Sequence, residues 1–360
     1  MIKKRIGIDC RLAGNEHAGI GRYTQNLVQR LVKNQDFTWV TFFYSHQQAQ
    51  EVLGENPHNV KIVLLPVKHY SLKEQLLLPI AFNQEKLDLL HVPHFNIPIF
   101  YRGDIVVTIH DLLWHEQRGS HVTTLPAWQY WLKYGAYMVT VEQAVNRAKT
   151  IFVPSKTVGN IIKKHYPKNK AKIVITYEGV ETAFLHQHRP SQPIKKQLVY
   201  TGSLYPHKNI EVVFKALKKL PAFSLKLVGS RNIFQQQTMA LAKKHQVSQQ
   251  VEFLGRLNDQ ALSKLYQESF ALVFPSLSEG FGLPGLEAMA VGLPVIASDI
   301  PIFREIYQDA AAYFDPHSAE ELVEKILVLE PSRKTLSKAG QELVSHYSWD
   351  EMAKQTLAHY

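Results

Sequence analysis

Short apolar runs alternate with longer amphipathic stretches along this chain, and that rhythm constrains its fold more than any other feature. KRIGIDC, TWVTFFY, VKIVLLP, LDLLHV, IVVTIH, TIFVP and AKIVIT read as one series of strands, with helices such as Gly21 to Lys33 and Pro126 to Arg147 between them. QLVYTG, SLKLVG, VEFLG, FALVFP and LPVIAS form a second series with intervening helices of similar length. Such alternation is the pattern of helices laid on a mostly parallel sheet. At 360 residues the chain exceeds what one core usually organises, and a hydrophobic content of 45% is enough for two.

Between the series lies Glu181 to Lys196 (ETAFLHQHRPSQPIKK), polar and proline-containing, which reads as a linker. The expected organisation is α/β: a first domain over residues 1–182, a linker over 183–197 and a second domain over 198–347. Each domain would be doubly wound and Rossmann-like, the two facing across a cleft with ligands at the carboxyl ends of the strands. The closing WDEMAKQTLAHY, within 348–360, reads as a helix.

Composition removes several classes. The single cysteine, Cys10, excludes an internal disulfide framework and points to a reducing, cytoplasmic setting. No apolar run approaches the roughly 20 residues that span a bilayer, and MIKKRIGIDC passes from basic residues into a strand without a secretory apolar region. A net charge of +10 calls for anionic partners, either phosphates or an anionic membrane surface. Nucleic acid is not expected, because no basic helix, zinc-ligand spacing or RNP-type strand is present.

Residues Ser276 to Asp299, SLSEGFGLPGLEAMAVGLPVIASD, concentrate the chemistry. The buried strand Ala271 to Pro275 precedes them, Gly280, Gly282 and Pro284 break the chain, and helical spacing resumes over Leu286 to Val291. A glycine turn entering a helix lets backbone N–H groups approach an anion, and Pro284 suits a first helical turn. Glu279 and Glu287 flank that turn, where carboxylates accept from hydroxyls. The bland reading makes both glutamates members of a solvated helix face; the functional one seats a phosphorylated sugar on the turn.

The stretch resembles the EGFGLP-x-x-EAM signature of retaining nucleotide-sugar glycosyltransferases of family four, followed as in that family by GLPVIASD and a downstream glutamate, here Glu305. The resemblance implies a GT-B fold over essentially the whole chain, with the last helix crossing back onto the first domain. It also implies hexose transfer from a nucleoside diphosphate sugar to a hydroxyl acceptor with retention of configuration. YTGSLYPHKNI resembles the family's diphosphate-binding element, making Lys208, read as opening the helix Asn209 to Lys219, the phosphate ligand. Ser203 follows Gly202 where many members carry arginine, so His207, Arg231 and Arg256 are the candidates for a second basic partner.

In the first half, Gly19-Ile20-Gly21 is read as preceding a helix that begins near Arg22, and GIGRYTQNLV resembles the family loop whose glycines meet donor phosphate and acceptor. A complete GxGxxG is missing, which argues against a dinucleotide site. IVVTIHDLLWHE brings His110 and Asp111 to a strand end, and by resemblance to the family's HDL motif His110 contacts the donor sugar at its 6-hydroxyl. His91, His94, His110 and His115 lack metal-ligand spacing, and there is no DxD, so neither metal nor cofactor is expected.

The resemblance thus implies a catalytic set of Glu279, Lys208 and His110. Donor contacts would come from Gly19, Gly21, Gly202, Ser203, Arg256, Leu257, Gly280, Phe281, Gly282, Leu283 and Glu287, with Arg256 and Leu257 bordering the base, Glu279 on sugar hydroxyls and Glu287 on the ribose. Charge on the leaving phosphate would be stabilised by Lys208 and the N–H groups of Gly282 and Leu283. The alternatives are a sugar-nucleotide epimerase of the same architecture, a glycosidase, and a binding module without turnover. The acceptor implied is a hydroxyl of a cell-surface polysaccharide or glycolipid, lipid-linked acceptors included. Between His69 and Arg147, HYSLKEQLLLPIAF and LPAWQYWLKYGAYMVTVEQAVNRAK mix aromatic and basic residues. They read either as a peripheral membrane face, with Lys133 and Arg147 toward anionic lipid, or as internal packing of Trp128, Tyr130, Trp131 and Tyr134.

Overall fold

The computed structural model describes residues 3–14, 17–54, 58–116, 119, 126–185, 195–229 and 234–360. The chain divides into two compact units, Met1–Glu178 with Trp349–Tyr360, and Gly179–Ser348. Part of the expected linker, 186–194, lies outside the described residues.

Strands β1 (Arg5–Asp9), β2 (Thr38–Phe43), β3 (Val60–Leu64), β4 (Leu89–Val92), β5 (Ile105–Thr108), β6 (Ile151–Val153) and β7 (Ile173–Ile175) form the first sheet. Their order among the described residues is β3-β2-β1-β4-β5-β6-β7, and every pairing is parallel. The second sheet holds β8 (Gln197–Thr201), β9 (Ser224–Val228), β10 (Val251–Gly255), β11 (Ala271–Phe274), β12 (Val295–Ser298) and β13 (Ala311–Phe314), in the order β10-β9-β8-β11-β12-β13 and again all parallel. Strands such as β4, β5, β11 and β12 are buried at every position, which is why the sequence shows unbroken apolar runs rather than alternation. β13, AAYF, was not expected from the sequence, because two alanines carry little strand signal and it pairs only at the sheet's edge.

In the first unit the helices Leu72–Gln84 and Ala127–Arg147 bury Leu78, Phe82, Val141 and Val145 in one core with Val40, Leu90 and Val107. The closing helix, Trp349–Leu357, belongs to this unit and packs on Ala18–Leu31. Arg30 Nε donates to Asp350 Oδ1 at 2.7 Å, and the rings of Tyr23 and Trp349 meet edge-on at 6.4 Å. The helix Ala18–Leu31 begins before both glycines of GIG rather than near Arg22 as expected. Gly21 belongs inside it because a Cβ there would stand 2.0 Å from the Gly14 carbonyl, and Gly14 N donates to Gly21 O. The glycine lets a loop lie on the helix rather than ending it.

Candidate active site

The second sheet changes direction between β8 and β11, so the loops leaving their carboxyl ends diverge and open the crevice where doubly wound sheets take ligands. One loop carries Gly202, Ser203 and Lys208; the other carries Ser276, Glu279 and the Gly280 to Gly282 turn. Hydrogen bonds stitch the loops together. Leu277 N donates to His207 O at 2.8 Å, and Asn209 Nδ2 donates to Pro275 O at 3.1 Å and to Pro316 O at 2.7 Å. Asn209 reaches both from a left-handed conformation (φ 55°, ψ 35°), which asparagine tolerates better than most residues. That kink separates a 3₁₀ turn, Pro206–Lys208, from the helix Ile210–Leu217. Lys208 therefore closes a turn instead of opening the helix Asn209 to Lys219 expected from sequence.

The stitching sets Lys208 Nζ 2.6 Å from Glu279 Oε1, and Ser276 Oγ donates to the same oxygen at 2.7 Å. The two charged side chains are only 15% and 12% exposed, so the solvated-face reading of Glu279 does not hold. Glu287 is buried as well, within the helix Leu283–Ala290. Gly282 precedes that helix at φ 101°, a conformation strained for any residue with a Cβ. The Tyr307 hydroxyl donates to Gly282 O at 2.5 Å, and the ring lies stacked on Phe303. This tyrosine clamps the turn, and a Cβ on Gly285 would stand 2.3 Å from its ring. Phe281 and Leu283 are buried beside the turn, Phe281 edge-on to Tyr347. The helix start is thereby held at the end of β11, where its dipole favours an anion.

Burial and the neighbouring Lys208 charge lower the His207 pKa to about 4, so it is neutral at pH 7 and is no second cation. Arg256 is exposed and Leu257 half-buried beyond β10, two strands away from β8; Arg231 lies outside the described residues. Ser203 accepts through its carbonyl from the Tyr200 hydroxyl at 2.5 Å. Gly202 N, at the end of β8, donates to Val228 O at 2.9 Å.

In the first unit, no atom of the described residues lies within 4 Å of where a Cβ on Gly19 would sit. His110 is 8% exposed; its Nε2 faces the Pro93 carbonyl at 3.1 Å and therefore carries the proton, while Nδ1 lies 3.6 Å from Glu178 Oε1. Asp111 instead accepts from Leu113 N at 3.2 Å. His91 bonds the Tyr360 hydroxyl and Thr108, and burial lowers its pKa to about 3. His115 sits between the hydroxyls of Tyr137 and Tyr166. These histidines serve separate networks, and among the described residues no three His, Cys, Asp or Glu side chains are grouped to hold a metal. Burial raises the Cys10 thiol pKa well above its usual value, which makes it inert packing.

Sequence reasoning missed Ser276, Asn209 and Tyr307. Asn209 carried a usable signal, since asparagine beside a turn favours the left-handed region; Tyr307 carried none.

Comparison with known proteins agrees with this arrangement. An O-antigen chain mannosyltransferase of Salmonella typhimurium, RfbU, is 28% identical over 292 residues, covering 81% of this chain and 77% of the relative. O-antigen chain mannosyltransferase B of Escherichia coli is 25% identical over 374 residues, covering 95% of each. The solved Anabaena HepE structure in complex with UDP-glucose superposes with a TM-score of 0.75 at 16% identity, covering 99% of this chain and all of that one. A Glycosyltransferase Family 4 model matches residues 17–184, and a model of glycosyl transferases group 1 matches 182–343. One model takes over where the other ends, so the match runs through both sheets, and the chain belongs to family four of the glycosyltransferases, the retaining enzymes of GT-B fold.

Proposed function

We propose that the chain moves a hexose from a nucleoside diphosphate sugar onto a hydroxyl of a growing cell-surface saccharide, with retention at the anomeric carbon. The observation that carries this reading is the Lys208–Glu279 pair held across the β8/β11 crevice beside a helix start. A diphosphate there would compete with Glu279 for the ammonium group and release carboxylate oxygens to accept from sugar hydroxyls. As the glycosidic bond lengthens, the anomeric carbon gains positive character and negative charge grows on the leaving phosphate. Lys208 and the backbone N–H groups at Gly282 and Leu283 would stabilise that charge in place, the kind of term that usually dominates such catalysis. The proton of the attacking hydroxyl would go to the leaving phosphate on the same face. The names of the O-antigen mannosyltransferase relatives support a saccharide acceptor, and UDP-glucose in the Anabaena neighbour supports the donor class.

Thermal shift against a panel of UDP-, GDP- and ADP-sugars tests the donor, since a ligand that binds only the folded state raises stability by mass action. One nucleotide series should stabilise the protein clearly above the others. Flat responses to the whole panel would count against nucleotide-sugar transfer.

With no DxD sequence and a lysine opposite the phosphate position, turnover is expected to be independent of divalent metal. EDTA should leave most of the rate. Loss of activity in EDTA that manganese restores would show that the diphosphate is neutralised by another route.

The first unit also supports peripheral membrane association. The helix Leu72–Gln84 buries Leu78 and Phe82 but leaves Leu72, Leu76, Leu77 and Ile80 exposed. The helix Ala127–Arg147, packed into the same core, buries Tyr130 while Trp128 and Trp131 are 69% and 53% exposed. Internal packing therefore accounts for Tyr130 and not for the tryptophans. Lys68, Lys73 and Lys133 are exposed along these segments, and an anionic leaflet attracts each such charge by about 1 kcal/mol. Arg147, taken from the sequence as lipid-facing, instead donates to the carbonyls of Ile99 and Tyr101. Liposome flotation should show binding to anionic vesicles that falls with salt and is lost in Leu76→Glu/Trp131→Glu. Equal flotation of that variant would remove these helices from the interface.

A further inference from the structure

A surface groove of about 720 Å³ lies at the edge of the first sheet, within the size range of small-molecule sites. Leu65, Pro66 and Val67, the residues that leave β3, form one wall. Leu77, Ile80 and Ala81 of the helix Leu72–Gln84 form the other. Lys73 and Gln84 line it as well, so one helix face runs its length. At about 1.5 Å of rise per residue, those two positions stand roughly 16 Å apart along the axis.

The helix needs a second cover. LKEQLLLPIAFNQ is apolar on nearly every side, the pattern of a helix buried all round, yet it buries only Glu74, Leu78, Pro79 and Phe82. Leu77 and Ile80, on the groove, are 47% and 56% exposed. Apolar surface of this kind, bordered by polar residues, marks a site of interaction.

Charge and shape select the occupant. Lys68 and Lys73 are the charged residues of the lining, no carboxylate joins them, and neither ammonium group is ion-paired among the described residues. Both stand toward the start of the helix, beside Ser71, whose hydroxyl lies 2.7 Å from the Lys68 carbonyl. The groove is therefore cationic at one end. Between Lys73 and Gln84 its walls carry apolar side chains, against which a peptide would lose hydrogen bonds that a hydrocarbon chain never makes. The roughly 16 Å length matches the hydrocarbon depth of one leaflet, half of a core of about 30 Å. An anion with a hydrocarbon tail fits both ends.

Position separates this ligand from the transfer reaction. In the order β3-β2-β1-β4 the groove sits at the β3 edge, whereas the change of strand direction falls between β1 and β4.

We propose that the groove holds one acyl chain of an anionic phospholipid, with the phosphate at Lys68 and Lys73. The assignment deepens the reading of peripheral membrane association and rests on it: Leu72 and Leu76 meet the leaflet while the groove retains a single lipid.

Lauroyl lysophosphatidylglycerol, kept below its critical micelle concentration, is the probe, and calorimetric titration of the whole chain reads binding without a bilayer. Lauroyl lysophosphatidylcholine supplies the same tail without net charge, and glycerol 3-phosphate supplies a phosphate head without a tail. The anionic lipid should bind about tenfold more tightly than the zwitterionic one, and glycerol 3-phosphate should not bind measurably. Lys68→Glu/Lys73→Glu should abolish that preference. Leu77→Asp should weaken the anionic lipid by at least about tenfold, and Ile80→Asp serves as the second variant should the first fold poorly. Leu76→Glu/Trp131→Glu, whose substitutions lie off the groove, should bind the monomeric lipid as the wild type does. Equal affinity for the two lysolipids, no binding below the micelle concentration, or wild-type affinity in folded Leu77→Asp would overturn the proposal. So would a concentration-dependent dimer that Leu77→Asp dissolves, which would give the groove to a second copy of the chain. Lysolipid binding by a chain that floats with no vesicle would instead sink the membrane reading and leave the groove a lipid site.

Discussion

Lys208→Ala lowers kcat/KM by about ten- to a hundredfold, because a hydrogen bond assisted by a full charge contributes roughly 1.5 to 3 kcal/mol. The structure adds a second effect that sequence alone did not suggest. Glu279 lies 2.6 Å from the ammonium group and is 12% exposed, so the alanine leaves a largely buried carboxylate without its charged partner, still accepting from Ser276 Oγ. Removing one partner of a fully buried pair costs about 3 to 5 kcal/mol, and residual solvent contact reduces that here to about 1 to 3. Lys208→Ala/Glu279→Gln should therefore melt above Lys208→Ala while remaining as inactive. A single variant with wild-type melting and wild-type kinetics would remove the pair from both roles.

The largest loss of stability is expected from Gly285→Ala. Its Cβ would stand 2.3 Å from the Tyr307 ring, which is fully buried and stacked on Phe303 at 5.1 Å, so the ring cannot move aside. Overpacking of this severity costs about 3 kcal/mol or more. For a unit of this size each kcal/mol shifts Tm by about 2 to 4 °C, so the expected drop is about 6 to 12 °C. Donor binding should weaken in parallel, since Tyr307 also holds Gly282 O. In Gly285→Ala/Tyr307→Leu the smaller side chain relieves the clash, and the double variant should lose less than the sum of the singles. A Tm for Gly285→Ala within about 2 °C of wild type would show that the ring does yield.

Much of this was legible in the sequence for physical reasons. Parallel strands buried on both faces, such as β4, β5, β11 and β12, leave continuous apolar runs, and twelve of the thirteen strands found among the described residues were legible as short apolar segments. Glu279 and Lys208 stood out because they flank glycine turns within short motifs. What escaped depends on contacts between distant parts of the chain. Nothing near Tyr307 announces that its hydroxyl will reach a carbonyl 25 residues earlier. Gly21 misled in the opposite direction: it reads as a helix breaker, yet it lies within the helix because Gly14 needs the space. His207 looked like a spare cation until burial beside Lys208 made it neutral.

The central claim is that a diphosphate leaving group is stabilised in the β8/β11 crevice while the sugar moves with retention. The direct measurement is proton NMR of the anomeric signal in the glycoside formed from an α-linked nucleoside diphosphate hexose, with released nucleoside diphosphate followed in the same tube. The expected result is an α-linked product, one nucleoside diphosphate released for each linkage made, and loss of both signals together in Lys208→Ala. A β-linked product, or conversion of the donor sugar without nucleoside diphosphate release, would contradict it.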